Sequence, residues 1–211
     1  MSESVWSWDI DRFLNESASS SPTPGGGSIS AYAGALGASM VCMVANLTIG
    51  KEKYKAVEAE VAEILGQAEI CLEGLKSGLT KDINVFNKFM DVLKMPKETD
   101  GQKVTREQRM QEVLREATDS PVEVARKSFM VLQLAQKLAP IGNKGAISDV
   151  GVAAYLAESA INSALLSVDI NLPQIKDISY AAEIQKECQS MKTSAADILK
   201  DTVRIVKERL V

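Results

Sequence analysis

The stretch GGGSISAYAGALGASMVCMVANLTIG, residues 25–50, decides the fold. It ends a 34-residue run, Ser17–Gly50, that contains no Asp, Glu, Lys or Arg. Small residues recur at intervals of four, as in Ser30, Gly34 and Ala38, so neighbouring helices can approach closely. The pattern predicts a helix over about residues 28–49 that other helices surround on all sides. A helix that is enclosed in this way can also need a partner subunit to cover it.

The same helix is long enough to cross a bilayer, so a membrane span is the alternative interpretation. Its residues are small rather than bulky, and the other predicted helices carry charges on their outer faces. These features favour the centre of a soluble bundle, and we expect no membrane partner.

The remaining sequence is typical of helices, because Ala, Leu, Met, Glu and Lys are plentiful and aromatic residues make up only 5%. We predict an all-α fold: an antiparallel helical bundle of about five long helices plus a short N-terminal helix, forming a single domain over 1–211. The predicted segments are 5–16, 28–49, 52–93, a fourth helix to about 138, 147–169 and 174 to the C-terminus, with Ser17–Gly27 as a loop. Thr105 and Gln108 could form a capping box for the fourth helix, and Ser120-Pro121-Val122-Glu123 predicts a break and a restart within it.

The charged composition excludes several classes of site. The chain has 24 Lys+Arg, 28 Asp+Glu, a net charge of −4 and no histidine. Without histidine there is no Ser–His or Cys–His triad and no histidine-based metal centre, so we expect no metal. The acidic balance argues against a nucleic-acid partner. Three scattered cysteines, Cys42, Cys71 and Cys188, are predicted to be buried free thiols, and with an acidic N-terminus they favour a cytoplasmic protein.

Asp82 interrupts an apolar seam of the third predicted helix, where it follows Leu75 and Leu79 at helical spacing. A carboxylate in such a place needs a hydrogen bond or a charged partner. One interpretation is that Asp82 caps or salt-bridges a neighbouring helix. The other is that it lines a cavity as an acid or base, since desolvation raises the pKa of a carboxyl group towards neutrality.

Two glycine-containing helix starts are also unusual. Asp149 lies in GNKGAISDVG, residues 142–151, at the start of a helix that is apolar on nearly every side. It could complement the N-terminus of that helix, or it could act in a site. The amides of Gly25–Gly27 open another helix and could hold an anion, although the spacing fits neither a Walker loop nor G-x-G-x-x-G.

Three blocks of the sequence resemble the cyclodeaminase/cyclohydrolase family of folate enzymes. The family signature is similar to residues 22–54, PTPGGGSISAYAGALGASMVCMVANLTIGKEKY. The D-x-x-x-F block of the family looks like residues 82–90, DINVFNKFM. Its G-N-x-x-x-x-S-D segment looks like residues 142–154, GNKGAISDVGVAA. The resemblance covers essentially the whole chain. It implies an all-α fold that forms a homodimer.

The resemblance also implies chemistry on tetrahydrofolate. One family reaction hydrolyses 5,10-methenyltetrahydrofolate to 10-formyltetrahydrofolate, and the other closes 5-formiminotetrahydrofolate to the methenyl form with release of ammonia. We expect the cyclohydrolase, because the chain has no room for the formiminotransferase domain that usually accompanies the second reaction. No cofactor is needed, since the methenyl bridge is already cationic and a carboxylate can stabilise it or deprotonate water.

On these grounds Asp82 and Asp149 are the candidate catalytic residues. The expected ligand is a tetrahydrofolate derivative, with or without a polyglutamate tail. The candidate residues for binding it are Gly25, Gly26, Gly27, Ser28, Asn46, Lys53, Phe86, Asn143 and Ser148. A non-catalytic helical interaction module is the alternative from another class. That alternative predicts that both aspartates are paired with Lys or Arg and that neither has a cavity beside it.

Overall fold

The computed structural model describes residues 4–211, and within them the regular structure is entirely helical. One short helix and five long ones follow each other in the order predicted, so the all-α bundle is confirmed. The helices are α1 (Ile10–Ala18), α2 (Gly26–Thr48), α3 (Glu58–Leu93), α4 (Asp100–Ile141), α5 (Ile147–Asn171) and α6 (Ile178–Leu210). Short 3-10 helices cover Val5–Ser7, Glu52–Val57, Lys144–Ala146 and Leu172–Gln174.

Helix α2 lies at the centre, against α3, α4 and α5. Close packing depends on its glycines: a Cβ at Gly34 would lie 2.6 Å from Ser128 Oγ on α4, and one at Gly37 would lie 3.2 Å from the carbonyl oxygen of Ala153 on α5. The fourth side of α2 is open, however, and Leu36 is 41% exposed there. The prediction that α2 is surrounded on all sides is therefore wrong within a single chain, because α3, α4 and α5 leave one face free.

Two segments, Gly26–Thr48 and Lys144–Gln174, are long and apolar enough to cross a bilayer. About half of each apolar window, 56% and 50%, is buried inside the bundle. Packing between helices therefore accounts for much of their apolar character.

Helix α4 continues through Ser120 and Pro121 without a break, contrary to the prediction. A proline inside a helix removes one N–H and leaves the carbonyl four residues earlier without its usual donor. Here that carbonyl belongs to Ala117, and it accepts a hydrogen bond of 2.9 Å from the Asn171 side chain on α5. A tertiary contact thus replaces the missing backbone bond, which sequence pattern alone does not reveal.

Other helix ends differ from the predictions by local capping. The capping box of α4 is formed by Thr99 and Gln102 rather than by Thr105 and Gln108. Asp9 caps α1, which moves its start from residue 5 to Ile10. The three cysteines are free thiols, as predicted, and Cys71 and Cys188 are buried. Cys42 is only half-buried, so the prediction of burial is wrong for this residue.

Candidate active site

The start of α2 meets Asp82 of α3. Gly25 is the N-cap of α2 and has no side chain with which to cap it. Asp82 takes this role from another helix, because its carboxylate accepts hydrogen bonds from the Ser28 hydroxyl, at 2.7 Å, and from the Ser28 backbone N–H. Gly27 allows the approach, since a Cβ at this position would overlap the Asp82 carboxylate. These contacts agree with the first interpretation of Asp82, in which it caps a neighbouring helix.

Burial raises the pKa of Asp82 above its ordinary value, although the two hydrogen bonds from Ser28 lower it in part. Asp82 forms no ion pair with any of the described residues. A half-buried carboxyl group with a raised pKa and no cationic partner is suited to accepting and returning a proton.

Asp82 also lines a cavity of about 300 Å³ between α3, α4, α5 and the turn that follows α5. Its wall includes two aromatic rings, several aliphatic groups and a few polar side chains. The lining residues are Asp82, Val85, Phe86, Phe89, Ala117, Ser120, Ser167, Ile170, Asn171 and Gln174. A mostly apolar cavity with a few polar groups and one perturbed carboxyl group is the usual form of a small-molecule site.

Sequence reasoning found Asp82 and Phe86 in this cavity but missed Ser120, Ser167 and Gln174 as lining residues. Ser120 was interpreted as a helix cap, and Gln174 as the start of the last helix. Asn171 also lines the cavity, and its side chain forms a hydrogen bond to α4 there. Only the packing of α3, α4 and α5 shows that these positions meet.

Four of the predicted binding residues lie at the opposite end of α2, namely Asn46, Lys53, Asn143 and Ser148. Asn143 joins the end of α2 to the turn before α5: its N–H donates to Thr48 Oγ1 (2.9 Å), its side-chain amide donates to the Leu47 carbonyl (2.7 Å), and its Oδ1 accepts from the Gly145 N–H. Asn143 therefore holds this end of the fold together. Tyr54 adds to the joint, because its hydroxyl accepts from the Lys144 N–H at 2.9 Å, and that bond lowers the pKa of Tyr54.

Asn46, Lys53 and Ser148 are exposed near the same end. The Lys53 ammonium lies 5.4 Å from the centre of the Tyr54 ring. None of these three residues lines the cavity beside Asp82. Both hydrogen-bond donors of Ser28, its backbone N–H and its hydroxyl, are bound to the carboxyl group of Asp82.

Asp149 does not share a site with Asp82 within one chain. Asp82 contacts α2 at Gly27, and α5 contacts α2 at Gly37 through Ala153. Ten residues of helix separate these levels by roughly 15 Å, and Asp149 lies a further turn of about 5 Å beyond Ala153. The single chain therefore separates the two candidate catalytic carboxylates by about 20 Å along α2.

Comparison with known proteins decides the family. The model for formiminotransferase-cyclodeaminase matches residues 9–190, which include the Asp82 cavity and the Asn143 turn. The chain belongs to the formiminotransferase-cyclodeaminase family.

Members of this family include proteins of two architectures. The chain is 38% identical over 201 residues to methenyltetrahydrofolate cyclohydrolase of Methylorubrum extorquens, and the match covers 95% of this chain and 97% of that one. It is 30% identical over 194 residues to formimidoyltransferase-cyclodeaminase of Sus scrofa, where the match covers 90% of this chain but only 36% of the pig protein.

A solved family structure has the same fold. Formiminotetrahydrofolate cyclodeaminase from Thermotoga maritima superposes with a TM-score of 0.79 at 29% identity, over 98% of this chain and 97% of that chain. The fold of that cyclodeaminase therefore extends over nearly all of the present chain, including both ends of α2.

Proposed function

We propose that this protein is a methenyltetrahydrofolate cyclohydrolase, which converts 5,10-methenyltetrahydrofolate and water to 10-formyltetrahydrofolate. The observation that carries the proposal is the Asp82 carboxyl group, which has a raised pKa, no ion-pair partner among residues 4–211 and a place on the wall of an aromatic-lined cavity. The similarity to the Methylorubrum extorquens cyclohydrolase, along nearly the whole length of both chains, supports it.

The reaction needs a base and an environment that tolerates a cation. Asp82 removes a proton from water as its oxygen adds to the methenyl carbon, which carries the positive charge of the substrate. The bond from that carbon to N5 then breaks, the oxygen becomes the formyl oxygen as it loses its remaining proton, and N5 takes up a proton. One proton remains on Asp82 and leaves to solvent, which balances a cationic substrate against a neutral product.

The cavity walls fit a flat ring system. Phe86 and Phe89 come from successive turns of α3 and line the cavity beside Asp82. Aromatic rings pack well against planar ligands and attract a cation that lies over their faces. No resident cofactor takes part in the proposed mechanism.

The test is hydrolysis of the substrate by the purified protein. The near-ultraviolet absorbance of 5,10-methenyltetrahydrofolate is expected to disappear faster with the wild-type chain than in buffer alone. The catalysed rate is expected to be at least 100-fold lower with Asp82→Asn, because general-base catalysis contributes roughly 10²–10⁴-fold. Absence of acceleration by a folded wild-type protein would contradict the proposal.

The second candidate is the cyclodeaminase reaction. The name of the structural relative from Thermotoga maritima favours it. Ammonia released from 5-formiminotetrahydrofolate, measured beside the hydrolysis assay on one preparation, separates the two: the cyclohydrolase proposal expects the hydrolysis to be the faster reaction.

The scaffold alternative fits the structure less well. It predicted that Asp82 would pair with Lys or Arg and that no cavity would lie beside it. Asp82 instead hydrogen-bonds to Ser28 and lines a cavity.

A second copy of the chain is proposed to cover the open face of α2. This face carries uncharged residues at alternating steps of four and three, Ile29, Ala33, Leu36, Met40, Met43 and Leu47. Exposed Val152, Leu166 and Ile170 run along α5, which packs beside α2. Two helices with apolar stripes of this length form a surface that suits a two-fold related copy.

Leu36→Glu tests the homodimer, with Leu93→Glu as its control, because the two leucines are 41% and 42% exposed but only Leu36 lies on this face. Sedimentation is expected to give a dimer for the wild type and Leu93→Glu, and a monomer for Leu36→Glu. A monomeric wild type would contradict the proposal. A cytoplasmic location and the use of polyglutamylated substrate stay predictions.

A further inference from the structure

Ser120 carries a buried hydroxyl group that has no hydrogen-bond partner among the described residues. The residue is 2% exposed, and it lines the cavity beside Asp82. A buried hydroxyl without a partner destabilises the folded state by about 1–3 kcal/mol, so such groups are rare in native structures and need an explanation.

Other hydroxyl groups in the helices of this chain bond to the carbonyl four residues earlier. Ser30, Ser39, Thr48, Thr118 and Thr202 all do so, at 2.6–2.9 Å. Thr118 is only two residues before Ser120 in the same helix, so the helix backbone at this point permits the arrangement.

Ser128 is the other serine of α4 whose buried hydroxyl lacks a partner within the described part of the chain, and it has a structural explanation. Its Oγ fills the space that a Cβ of Gly34 would occupy, so it packs against the backbone of α2 in the core. Ser128 does not line the cavity. The two residues therefore differ in whether they border the cavity.

We propose that the Ser120 hydroxyl is a substrate-binding group, which forms a hydrogen bond with a polar atom of the folate derivative in the Asp82 cavity. This inference rests on the proposed function. Asp82 comes from α3 and, as a carboxylate, only accepts hydrogen bonds, whereas Ser120 comes from α4 and can both donate and accept. The two side chains supply complementary polar contacts from two helices, in a cavity whose other walls are largely apolar.

The position of Ser120 also depends on its neighbours. Pro121 follows it directly, and the carbonyl that this proline leaves without a backbone donor is held by Asn171 from α5. Ser120 thus stands on a part of α4 that is fixed to another wall of the same cavity. A hydroxyl held in a rigid setting loses little conformational entropy when a ligand binds.

The experiment compares Ser120→Ala with Ser128→Ala. Loss of one hydrogen bond is expected to lower kcat/KM for 5,10-methenyltetrahydrofolate by about 3- to 10-fold in Ser120→Ala. Ser128→Ala is expected to stay within about 2-fold of the wild type, because Ser128 does not line the cavity. Ser120→Cys keeps a donor at this position but makes it weaker and slightly larger, so its kcat/KM is expected to lie between those of Ser120→Ala and the wild type.

Two further readouts separate binding from a structural effect. The Tm of Ser120→Ala is expected to equal or exceed that of the wild type, since an unpaired buried hydroxyl is removed. Tetrahydrofolate, which binds without reacting, is expected to bind Ser120→Ala more weakly than the wild type by a similar factor in Kd. This titration needs no turnover, so it tests Ser120 even where the hydrolysis assay contradicts the proposed reaction.

Wild-type kcat/KM and Kd in Ser120→Ala would overturn the inference, as would equal losses in the two alanine variants. If Ser120→Ala does not fold, Ser120→Cys with wild-type kcat/KM and Kd would overturn it in the same way. A wild-type protein that binds no tetrahydrofolate would overturn both this inference and the proposed function.

Discussion

Asp82 and Gly27 fit together so closely that no side chain can stand between them. A Cβ on Gly27 would lie 2.7 Å from the Asp82 Cγ and closer still to one carboxylate oxygen. The carboxylate consequently reaches the Ser28 N–H and hydroxyl at the start of α2 while it remains on the wall of the cavity. One residue thereby caps the central helix and supplies the chemistry proposed for the site.

Gly27→Ala is expected to displace Asp82 and to lower both stability and activity. Insertion of a methyl group into a packed site costs about 1–3 kcal/mol in the free energy of unfolding, and a displaced base lowers kcat. Gly66→Ala on α3 is the matched control, because a Cβ there has nothing within 4 Å. Its stability is expected to rise by roughly 0.5–1 kcal/mol, since alanine is the better helix former. Chemical denaturation and the hydrolysis assay check both variants, and Gly27→Ala with wild-type stability would contradict the geometry.

Asp82→Asn is expected to abolish hydrolysis and to change how the stability of the folded protein depends on pH. Because burial raises the pKa of Asp82, the folded protein holds this proton more tightly than the unfolded chain does. The neutral form of Asp82 therefore contributes to the free energy of unfolding. This contribution is fully present when the pH is below 3.8, the ordinary pKa of the group, and it is lost as the pH rises through the raised pKa of the folded state.

The asparagine variant cannot ionise, so its Tm relative to the wild type is expected to increase between pH 4 and pH 7, while hydrolysis is lost. Thermal unfolding of both proteins across this pH range is the measurement. A Tm difference that shrinks as the pH rises would show that ionised Asp82 is a net stabiliser of the fold.

The bond from Asn171 to the Ala117 carbonyl is expected to depend on Pro121. Asn171→Ala leaves this carbonyl unpaired and is expected to lower the free energy of unfolding by about 1–3 kcal/mol. In a Pro121→Ala background the residue at 121 regains an N–H that can reach the same carbonyl, so Asn171→Ala is expected to cost less there.

A double-mutant cycle measures this coupling, which is expected to be about 1 kcal/mol. Asn162→Ala is the control, since the Asn162 side chain bonds to Glu158 within α5 and should cost the same in both backgrounds. Equal costs for Asn171→Ala in the two backgrounds would show that the Asn171 bond does not substitute for the missing backbone bond.

Asp149→Asn is expected to keep kcat/KM within a few-fold of the wild type, because Asp149 lies about 20 Å from Asp82 along α2 of the same chain. A loss comparable to that of Asp82→Asn would instead assign Asp149 to a site completed by another subunit. In that case a mixture of the Asp82→Asn and Asp149→Asn proteins would regain activity, because each mixed dimer holds one site with both carboxylates.

The sequence by itself determined the helical class, the number of long helices and the central place of residues 25–50. Those features follow from local properties: small residues at helical spacing, the absence of charge and the scarcity of strand-forming runs. The family blocks likewise identified Asp82 and Phe86, because both stand in a short segment whose residues lie close together on one helix. Asp82 on an apolar seam was already an anomaly before any contact was known.

Only the tertiary structure decided which residues share a site. Asp82, Ser120 and Asn171 are more than thirty residues apart from one another, and α3, α4 and α5 must pack before they meet. The same packing carried α4 through Pro121 and left one face of α2 open, although local rules predicted a break and full burial. It also placed Asp149 at a distance from Asp82, since α5 runs antiparallel to α2 and the position of a carboxylate along a helix depends on contacts that no local pattern records.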